Sequence, residues 1–473
     1  MTPPSLLRCL PLCLLLTACA SPPPQTPPRT DVPAQWQAGP QPARERLDAW
    51  WQGFADPQLA PLIERARRNN PDLGAALARV EQARAQAQVA AGNRWPTLQA
   101  GFNGNHERLL RGPGYSGIDT YRDDRRLEVF SLGLAASYEV DFWGGVAARA
   151  RSGVATWQAS AFDRDTLELT LLASVAASYL DFSAVQARAA IAQHNLDNAE
   201  QVLALVSTRQ AAGAASPLEL AQQRGLVARQ RQQLDSLRQD AANARLALAT
   251  LLGEPVARLH LATNDFAHLQ VPDTGVGLPS ELLARRPDIA RAEARLAAAQ
   301  ADVQVARSLM LPRLTLKANL AVGANHLADL FANRYYDLGG ALLAPIFNAG
   351  ALRAGYQASQ ARQQELLANY RKAILDAFAD VDRALNDGAG LDRQLHWQTQ
   401  VLDQAQQAFG LAETRYRAGA DTLLTLLDTQ RNLYQAQDDA ITLRLQRLKA
   451  SVALFKALGG GWEGAAESMP QIR

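Results

Sequence analysis

The sequence is poor in cysteine, histidine and methionine, and these scarcities argue against a catalytic or metal-binding function. It has three cysteines, six histidines and three methionines in 473 residues. The histidines are dispersed, with no His-Glu-x-x-His motif and no cysteine and histidine spacing typical of zinc sites. They are His106, His194, His260, His268, His326 and His396. Beyond Met1 only Met310 and Met469 occur, which disfavours a methionine-lined path for copper or silver. We predict that the protein is not an enzyme and holds no metal or soluble cofactor.

A strong excess of charge of one sign is also absent. The formal net charge is +2, and four of the 48 basic residues are lysines. Because so small a net charge does not attract a polyanion over distance, we predict no nucleic-acid partner. The remaining composition is rich in alanine and glutamine, with 6% aromatic residues, and is typical of a folded helical protein.

The N-terminus has the features of an export signal. An apolar run at residues 10–16 is too short to span a bilayer and ends in Leu-Thr-Ala-Cys. This ending resembles the bacterial lipobox, which implies a signal peptide at 1–18 and a covalent lipid on Cys19. Ala20 follows, and the same resemblance implies sorting to the outer membrane. The alternative is an ordinary signal peptide with an unrelated cysteine.

Two consequences follow for the mature chain. Cys9 and Cys13 leave with the signal and Cys19 is acylated, so neither a free thiol nor a disulfide is predicted. Residues 19–49 are rich in proline and are expected to form an extended tether outside the core, with order beginning near Trp50.

The rest of the chain contains an internal duplication, in which one structural unit occurs twice. Two helix ends carry the same capping signals. These are Arg209, Gly213 and Ser216 at the first end and Arg415 and Gly419 at the second. Gly213 and Gly419 are 206 positions apart. Each glycine suits a helix C-terminus and the Ser or Thr that follows suits an N-cap, with Asp421 or Thr422 as the second cap. Both segments are therefore predicted to be tips of helical hairpins.

Each half also contains a pair of predicted strands. Apolar and polar residues alternate at 129–141 and at 313–323, and the less regular partners are 97–105 and 336–346. Strands of about 10 residues fit a membrane barrel. Four strands cannot close around a lumen, and an open edge is not tolerated in lipid, so several chains would share one barrel. The alternative is a small soluble sheet packed on helices.

Very long helices follow each strand pair. The proline-free segments 145–211 and 350–417 are each about 100 Å long at 1.5 Å per residue. A bend or break is predicted at 388–390, where two glycines flank an alanine. The returning helices are about half as long, so the helices 72–94 and 281–307 are expected to stack end to end with them.

The motifs now assembled resemble the TolC-like outer membrane efflux proteins, nearest to the lipoprotein branch that includes OprM and NodT. The motifs are the lipobox, Asn70-Pro71-Asp72, Arg286-Pro287-Asp288, Trp95-Pro96, Leu311-Pro312, the 138–144 and 345–350 segments and the Arg415–Gly419 tip. The resemblance implies a homotrimer that is mainly α with a small membrane β part. Twelve strands, four from each chain, would form a barrel in the outer membrane, continued by a 12-helix barrel in the periplasm.

This resemblance also implies a domain organisation and partners. The predicted division is a signal peptide at 1–18, a lipidated tether at 19–49, N-terminal helices at 50–95, a barrel hairpin at 96–142, a long helical hairpin at 143–253, an equatorial connector at 254–280, a helix at 281–311, a second barrel hairpin at 312–347, a second long helical hairpin at 348–459 and a tail at 460–473. The expected partners are outer-membrane lipid, a periplasmic adaptor protein and an inner-membrane pump of the RND type. The helix tips, with Arg209, Gly213, Ser216, Arg415 and Gly419, would face the adaptor and the pump.

In this family, side chains near the second tip keep the periplasmic end narrow. Carried over by position, the gate residues are Tyr416, Asp421, Leu424, Thr425, Asp428 and Arg431. Leu424, Asp428 and Arg431 share one helical face, so a trimer would form a ring of three carboxylates beside an apolar constriction. The alternative is that Asp428 and Arg431 form an ordinary surface pair worth a few tenths of a kcal/mol.

The predicted function is therefore a passive, gated outer-membrane exit duct of a tripartite efflux system for drugs or other small molecules. A periplasmic coiled-coil lipoprotein without a pore is the main alternative, although it leaves the alternating strands without a role. A lipid-tethered enzyme acting on peptidoglycan lacks candidate catalytic residues.

Overall fold

The computed structural model describes residues 32–37, 49–110, 114–115, 118–119, 126–262, 265–272 and 275–462. Cys19, the predicted signal peptide, most of the predicted tether and the tail from residue 463 onward lie outside the described residues.

The first half of the chain carries a strand pair between helices. Its elements are a 3-10 helix at Trp50–Phe54, α1 at Leu59–Asn69, α2 at Pro71–Gly92, β1 at Thr97–Arg108, the short strands β2 at Gly114–Tyr115 and β3 at Ile118–Asp119, β4 at Arg126–Val140, α3 at Gly145–Ala211 and α4 at Pro217–Leu251. The predicted limits of the first long helix are confirmed, and β4 begins three residues earlier than predicted.

The second half has the same order of main elements. After 3-10 turns at Val256–Arg258 and Phe266–His268 come α5 at Pro279–Arg285, α6 at Pro287–Ser308, β5 at Arg313–Ala324, a 3-10 turn at Leu327–Asp329, β6 at Arg334–Leu343, α7 at Ala351–Arg417 and α8 at Leu423–Ala457. Both long helices have 67 residues, and both returning helices have 35. The prediction of a single helix at 281–307 is wrong, because Arg286 is extended before Pro287 and a new helix begins there.

Of the bend or break predicted at 388–390, the break is wrong, since α7 is one continuous helix. Gly388 is buried, and a Cβ atom there would lie 3.9 Å from the guanidinium of Arg447 on α8. This glycine therefore faces α8, at a distance that leaves ordinary van der Waals space for a Cβ atom. A helix tolerates such a residue at a cost of about 1 kcal/mol relative to alanine, without breaking.

The four long strands form one antiparallel sheet in the order β1-β4-β5-β6. Leu134 lies opposite both Ala100 and Leu320, and Leu320 lies opposite Tyr336. Because side chains alternate along each strand, this register gathers the even-numbered residues on one side of the sheet. That apolar face comprises Leu98, Ala100, Phe102, Phe130, Leu132, Leu134, Ala136, Tyr138, Val140, Leu314, Leu316, Ala318, Leu320, Val322, Tyr336, Leu338 and Leu342.

Nothing in the described chain covers the apolar face. Leu98, Leu320 and Leu338 are each at least 60% exposed, and none of the hydrophobic clusters of described residues includes a residue of the sheet. Within the described residues, β1 and β6 each have one unpaired edge. The alternative of a sheet whose apolar face packs on helices is therefore wrong.

Helices stack end to end at two junctions, as predicted. Asn70 caps α2 by accepting hydrogen bonds from the N–H groups of Asp72 and Leu73, and its side-chain amide donates to the carbonyl of Leu251 at the end of α4. Arg286 occupies the corresponding place before α6 and donates to the carbonyl of Ala457 at the end of α8. Each junction thus gives a carbonyl at a helix end a side-chain donor.

An ion cluster surrounds the buried Arg286. Its guanidinium lies 2.7 Å from the carboxylate of Asp288 and 3.3 Å from that of Asp380 on α7. Burial alone would lower the pKa of Arg286, but hydrogen bonds and charge from the two aspartates outweigh it and raise the pKa. Burial likewise opposes ionisation of Asp288, and its bonds to Arg286 reverse the effect, so the pKa of Asp288 is lowered.

We call the region around the Asn70–Leu251 and Arg286–Ala457 junctions the waist. The largest hydrophobic cluster lies there. Trp50 stacks on Phe455, with ring centroids 5.1 Å apart, and the buried Tyr179 and Leu248 belong to the same cluster. By length and composition α3 contains a segment that could cross a membrane, but more than half of that segment is buried inside the protein. The apolar character of this α3 segment is therefore explained by its burial inside the protein.

Part of the predicted tether belongs to a second cluster at the waist. Trp36 is 4% exposed and donates a 2.9 Å hydrogen bond from Nε1 to the carbonyl of Gly277. Its ring packs edge-on against Phe378 of α7, in a cluster with Ile374. The prediction that order begins near Trp50 is therefore wrong, because an apolar side chain within a proline-rich stretch finds a pocket that local sequence does not reveal.

Candidate functional site at the helix tips

Both hairpin tips have the caps that the sequence predicts. Gly213 and Gly419 have φ values of 75° and 74°, which place them in the left-handed region that glycine adopts readily. Ser216 and Glu219 form a reciprocal capping box at the start of α4. Thr422, one of the two predicted caps, accepts a 3.4 Å hydrogen bond from the N–H of Thr425 at the start of α8.

The two tips are joined by a contact between Arg209 and Tyr416. The guanidinium donates a 2.7 Å hydrogen bond to the carbonyl of Tyr416 and lies 4.8 Å from the centroid of its ring. Tyr416 is 2% exposed and packs in a cluster with Val206, Leu226 and Leu423. Residues that the sequence assigned to a docking surface and to a gate therefore form one cation–π contact.

Three of the predicted gate residues share an exposed face of α8. Leu424 is 65% exposed, and the guanidinium of Arg431 lies 3.1 Å from the carboxylate of Asp428. Both charged side chains are more than half exposed, so the pair is weak within one chain. The buried ring of Tyr416 does not join this face.

Asp421 and Arg415 form a separate polar contact in the turn. The carboxylate accepts a 2.8 Å hydrogen bond from the N–H of Thr422 and lies 3.2 Å from the Arg415 guanidinium. The backbone hydrogen bond from Thr422, with hydrogen bonds from Thr425 and Arg415, lowers the pKa of Asp421. This carboxylate therefore stays ionised well below neutral pH and keeps the turn closed around it.

A buried polar chain lies just above the tip and has no local sequence signature. Gln430 is fully buried and donates a 2.7 Å hydrogen bond to the Tyr434 hydroxyl, which donates to the carbonyl of Asn195 on α3. Burial raises the pKa of Tyr434 to about 12. A neutral hydroxyl thus ties α8 to α3. Heptad spacing on the returning helix predicts that Tyr434 packs in a seam, but the sequence did not indicate Gln430 or this polar link.

An ion pair one helical turn further from the tip adds to this link between α8 and α3. Arg188 on α3 holds Asp438 on α8 through two hydrogen bonds of 2.6 and 2.9 Å. Bidentate pairs of this kind are stronger and more directional than single contacts. The two hairpins are therefore fixed to each other above the tip, while the exposed face at Asp428 remains available to other chains.

An apolar sheet face left uncovered, joined to helices of 67 residues that end in capped tips, defines the class of outer-membrane channel subunits. A solved structure of the outer-membrane channel OprN is similar, with a TM-score of 0.84 and 29% sequence identity over 94% of this chain and all of that one.

The chain belongs to the outer membrane efflux protein family, whose model matches residues 62–254 and 278–460. It is 56% identical over 460 residues to the pyoverdine export outer membrane protein OpmQ of Pseudomonas aeruginosa, covering 97% of both chains. It is 51% identical over 470 residues to the protein of the same name from Pseudomonas putida, covering 98% of this chain and 99% of that one. The TolC-like resemblance drawn from the motifs is confirmed, and an outer-membrane location is supported.

Proposed function

We propose that three copies of the chain form a 12-stranded barrel in the outer membrane, continued by 12 helices across the periplasm, and that this trimer is the passive exit duct of a tripartite efflux system. The uncovered apolar face of the four-stranded sheet carries the proposal. Lipid covers that face in the trimer, and neighbouring chains pair the two open edges. The polar opposite face, with Ser137, Lys317 and Asn319, then lines a water-filled lumen.

A coiled-coil spacer without a pore fits the same observations less well. Such a spacer needs long paired helices, but it leaves the apolar face of the sheet in water. A large exposed apolar patch marks a site that contacts a membrane or a protein partner. Single-channel conductance of the purified protein in a planar bilayer tests the choice, and the absence of any conductance from intact trimers would favour the spacer.

Lipidation at Cys19 fits the docking of Trp36. The 17 residue steps from Cys19 to Trp36 reach at most about 60 Å when extended. Helix α6 has 22 residues and spans about 33 Å from the waist toward the sheet. A lipid on Cys19 therefore has enough chain to enter the membrane that holds the barrel while Trp36 stays at the waist.

The helix tips are the proposed docking end for a periplasmic adaptor and an inner-membrane pump. Gly213 and Gly419 lie in turns at the far ends of the long helices from the sheet. An RND-type pump remains the expectation from the family resemblance. A gene for an ATP-driven transporter beside the gene for this chain would contradict that pump class, without affecting the channel.

The exposed face with Leu424, Asp428 and Arg431 is the proposed gate. Three copies around the trimer axis bring three carboxylates together, and each Arg431 stabilises the narrow state by compensating their repulsion. Replacing both Asp428 and Arg431 by alanine is expected to raise single-channel conductance by about twofold or more, because the charged constriction is removed.

A matched control is available on the same protein. Arg362 and Glu365 on α7 form an exposed pair with the same i, i+3 spacing, and their double alanine variant should leave conductance unchanged. If the Asp428 and Arg431 variant conducts like this control, the gate lies elsewhere and the channel assignment still stands.

We propose that the exported cargo is of the pyoverdine class, since the two relatives that are more than half identical are both named for pyoverdine export. The expected result is that this chain restores pyoverdine export to a P. aeruginosa strain that lacks OpmQ. Export is measured as pyoverdine in the medium and in the periplasm. Normal trimers in the outer membrane without restored export would overturn the cargo assignment alone.

A further inference from the structure

At the outward end of the apolar face, the apolar residues are replaced by charged and polar ones. Arg108 at the end of β1 lies directly opposite Arg126 at the start of β4, and His106 lies opposite Glu128. All four are even-numbered and therefore share the side of the sheet that carries Leu132 and the other apolar residues. We call Arg108 and Arg126 the arginine rim.

The arginine rim lacks an acidic partner among the described residues. Glu128 is occupied by His106, whose Nδ1 lies 2.9 Å from its carboxylate, with His326 at 3.9 Å. Glu107 follows on the opposite side of the sheet by alternation. Like charges directly opposite each other on neighbouring strands are destabilising, so this exposed pairing disfavours the strand end unless an anion compensates it.

The position of the arginine rim relative to the apolar face indicates which anion compensates it. The apolar run on β4 ends at Phe130, and Arg126 lies four residues further out, about 14 Å along the strand at about 3.4 Å per residue. A strand tilt of about 35–45° reduces this to about 10 to 11 Å along the membrane normal. The rim therefore stands just beyond the acyl chains, at the level of lipid headgroups, on the lipid-facing side of the barrel.

We propose that Arg108 and Arg126 bind the phosphate groups of anionic lipid in the outer leaflet. Guanidinium groups suit this ligand because their planar donors match two phosphate oxygens at once. The proposal rests on the proposed function, since it needs the sheet to be part of a barrel in the outer membrane. It adds a lipid-binding site, with three copies in each trimer, to the proposed channel.

The test compares lipid retention by purified trimers in neutral detergent. Trimers are titrated with diphosphoryl lipid A and, in parallel, with neutral phosphatidylcholine, and bound lipids are counted by native mass spectrometry. Each arginine near an anionic surface contributes about fivefold in affinity. Arg108→Gln with Arg126→Gln should therefore weaken binding of diphosphoryl lipid A by about 30-fold and leave phosphatidylcholine unaffected.

Two further variants keep the test specific. Arg224→Gln with Arg371→Gln removes the same charge from exposed positions on α4 and α7 and should bind diphosphoryl lipid A as the unmodified trimer does. Arg108→Lys with Arg126→Lys should recover most of the lost binding, because the charge returns. Equal binding by the glutamine variant and the unmodified trimer would overturn the rim proposal, whereas failure of the unmodified chain to form conducting trimers would overturn the barrel itself.

Discussion

Replacing Leu320 by arginine is expected to abolish heat-resistant trimers in outer-membrane extracts. Leu320 is 60% exposed and lies in the middle of β5, opposite Leu134 and Tyr336 on the apolar face. An arginine that faces lipid near the bilayer midplane costs about 2–4 kcal/mol per chain. Because three chains share one barrel, the total is about 6–12 kcal/mol, which approaches the whole stability of a typical domain. Semi-denaturing gels at increasing temperature measure the loss.

The adjacent residue supplies the matched control. Asn319 projects to the polar face and lies opposite Asp337, with its amide 3.3 Å from the Asp337 carboxylate. Arginine at this position faces the lumen and acquires an acidic neighbour, so Asn319→Arg should preserve heat-resistant trimers. If Asn319→Arg destroys the trimer while Leu320→Arg preserves it, the lipid-facing and water-facing sides have been exchanged and the barrel assignment is wrong.

The features that sequence predicted well are those with a local cause. The long helices were predicted because proline is absent from them and a glycine follows each one. The alternation at 129–141 and 313–323 predicted two strands, since a half-buried strand needs one apolar side. The sheet register could not be read from the sequence, although the apolar face of all four strands depends on it.

The contacts that sequence missed join residues far apart in the chain. Trp36 reaches Phe378, Arg209 reaches Tyr416, and Tyr434 reaches the backbone of α3, each across more than 200 residues. A single sequence carries no signal for such pairs. Arg209 and Tyr416 appeared instead as separate functional candidates, because a residue at a tip looks exposed when only its own hairpin is considered.

These long-range contacts hold α8 at several points along its length. Its upper end is held at the waist by the bond from Arg286 to Ala457, and its middle is held by Arg188 and Tyr434. The face around Asp428 is attached within the chain only by exposed polar contacts. On the opposite side of the helix, Leu423, Leu426 and Leu427 are buried in the cluster with Tyr416, so side chains of the exposed face rearrange at lower cost than the helix itself.

Replacing Arg286 by leucine is expected to lower the stability of the trimer substantially. The substitution removes the Arg286 donor from the Asp288 and Asp380 carboxylates and from the Ala457 carbonyl, while Asp380 keeps its ion pair with Arg383. Removing one partner of a buried ion pair costs about 3–5 kcal/mol. Because the Asp380 side chain is 41% exposed, water compensates part of the loss, and we expect about 2–3 kcal/mol per chain. The temperature at which helical circular dichroism is lost measures the change.

The neighbouring Arg285 and the acid side of the pH profile separate lost ion pairing from lost packing. Among the described residues Arg285 pairs only with Glu281, and both side chains are more than one-third exposed, so Arg285→Leu should cost less than Arg286→Leu, about 1 kcal/mol. The pKa of Asp288 lies below its ordinary value of 3.8, so the stability that ionised Asp288 contributes is present above about pH 4 and is lost as the pH falls through the lowered pKa. The difference between the unmodified trimer and Arg286→Leu should therefore shrink below pH 4. In an Asp288→Asn, Asp380→Asn background, Arg286→Leu should cost clearly less than in the native one, because no carboxylate loses its partner and only the hydrogen bond to the Ala457 carbonyl is lost. A loss of stability in that background as large as in the native one would mean that Arg286 acts by filling space at the junction.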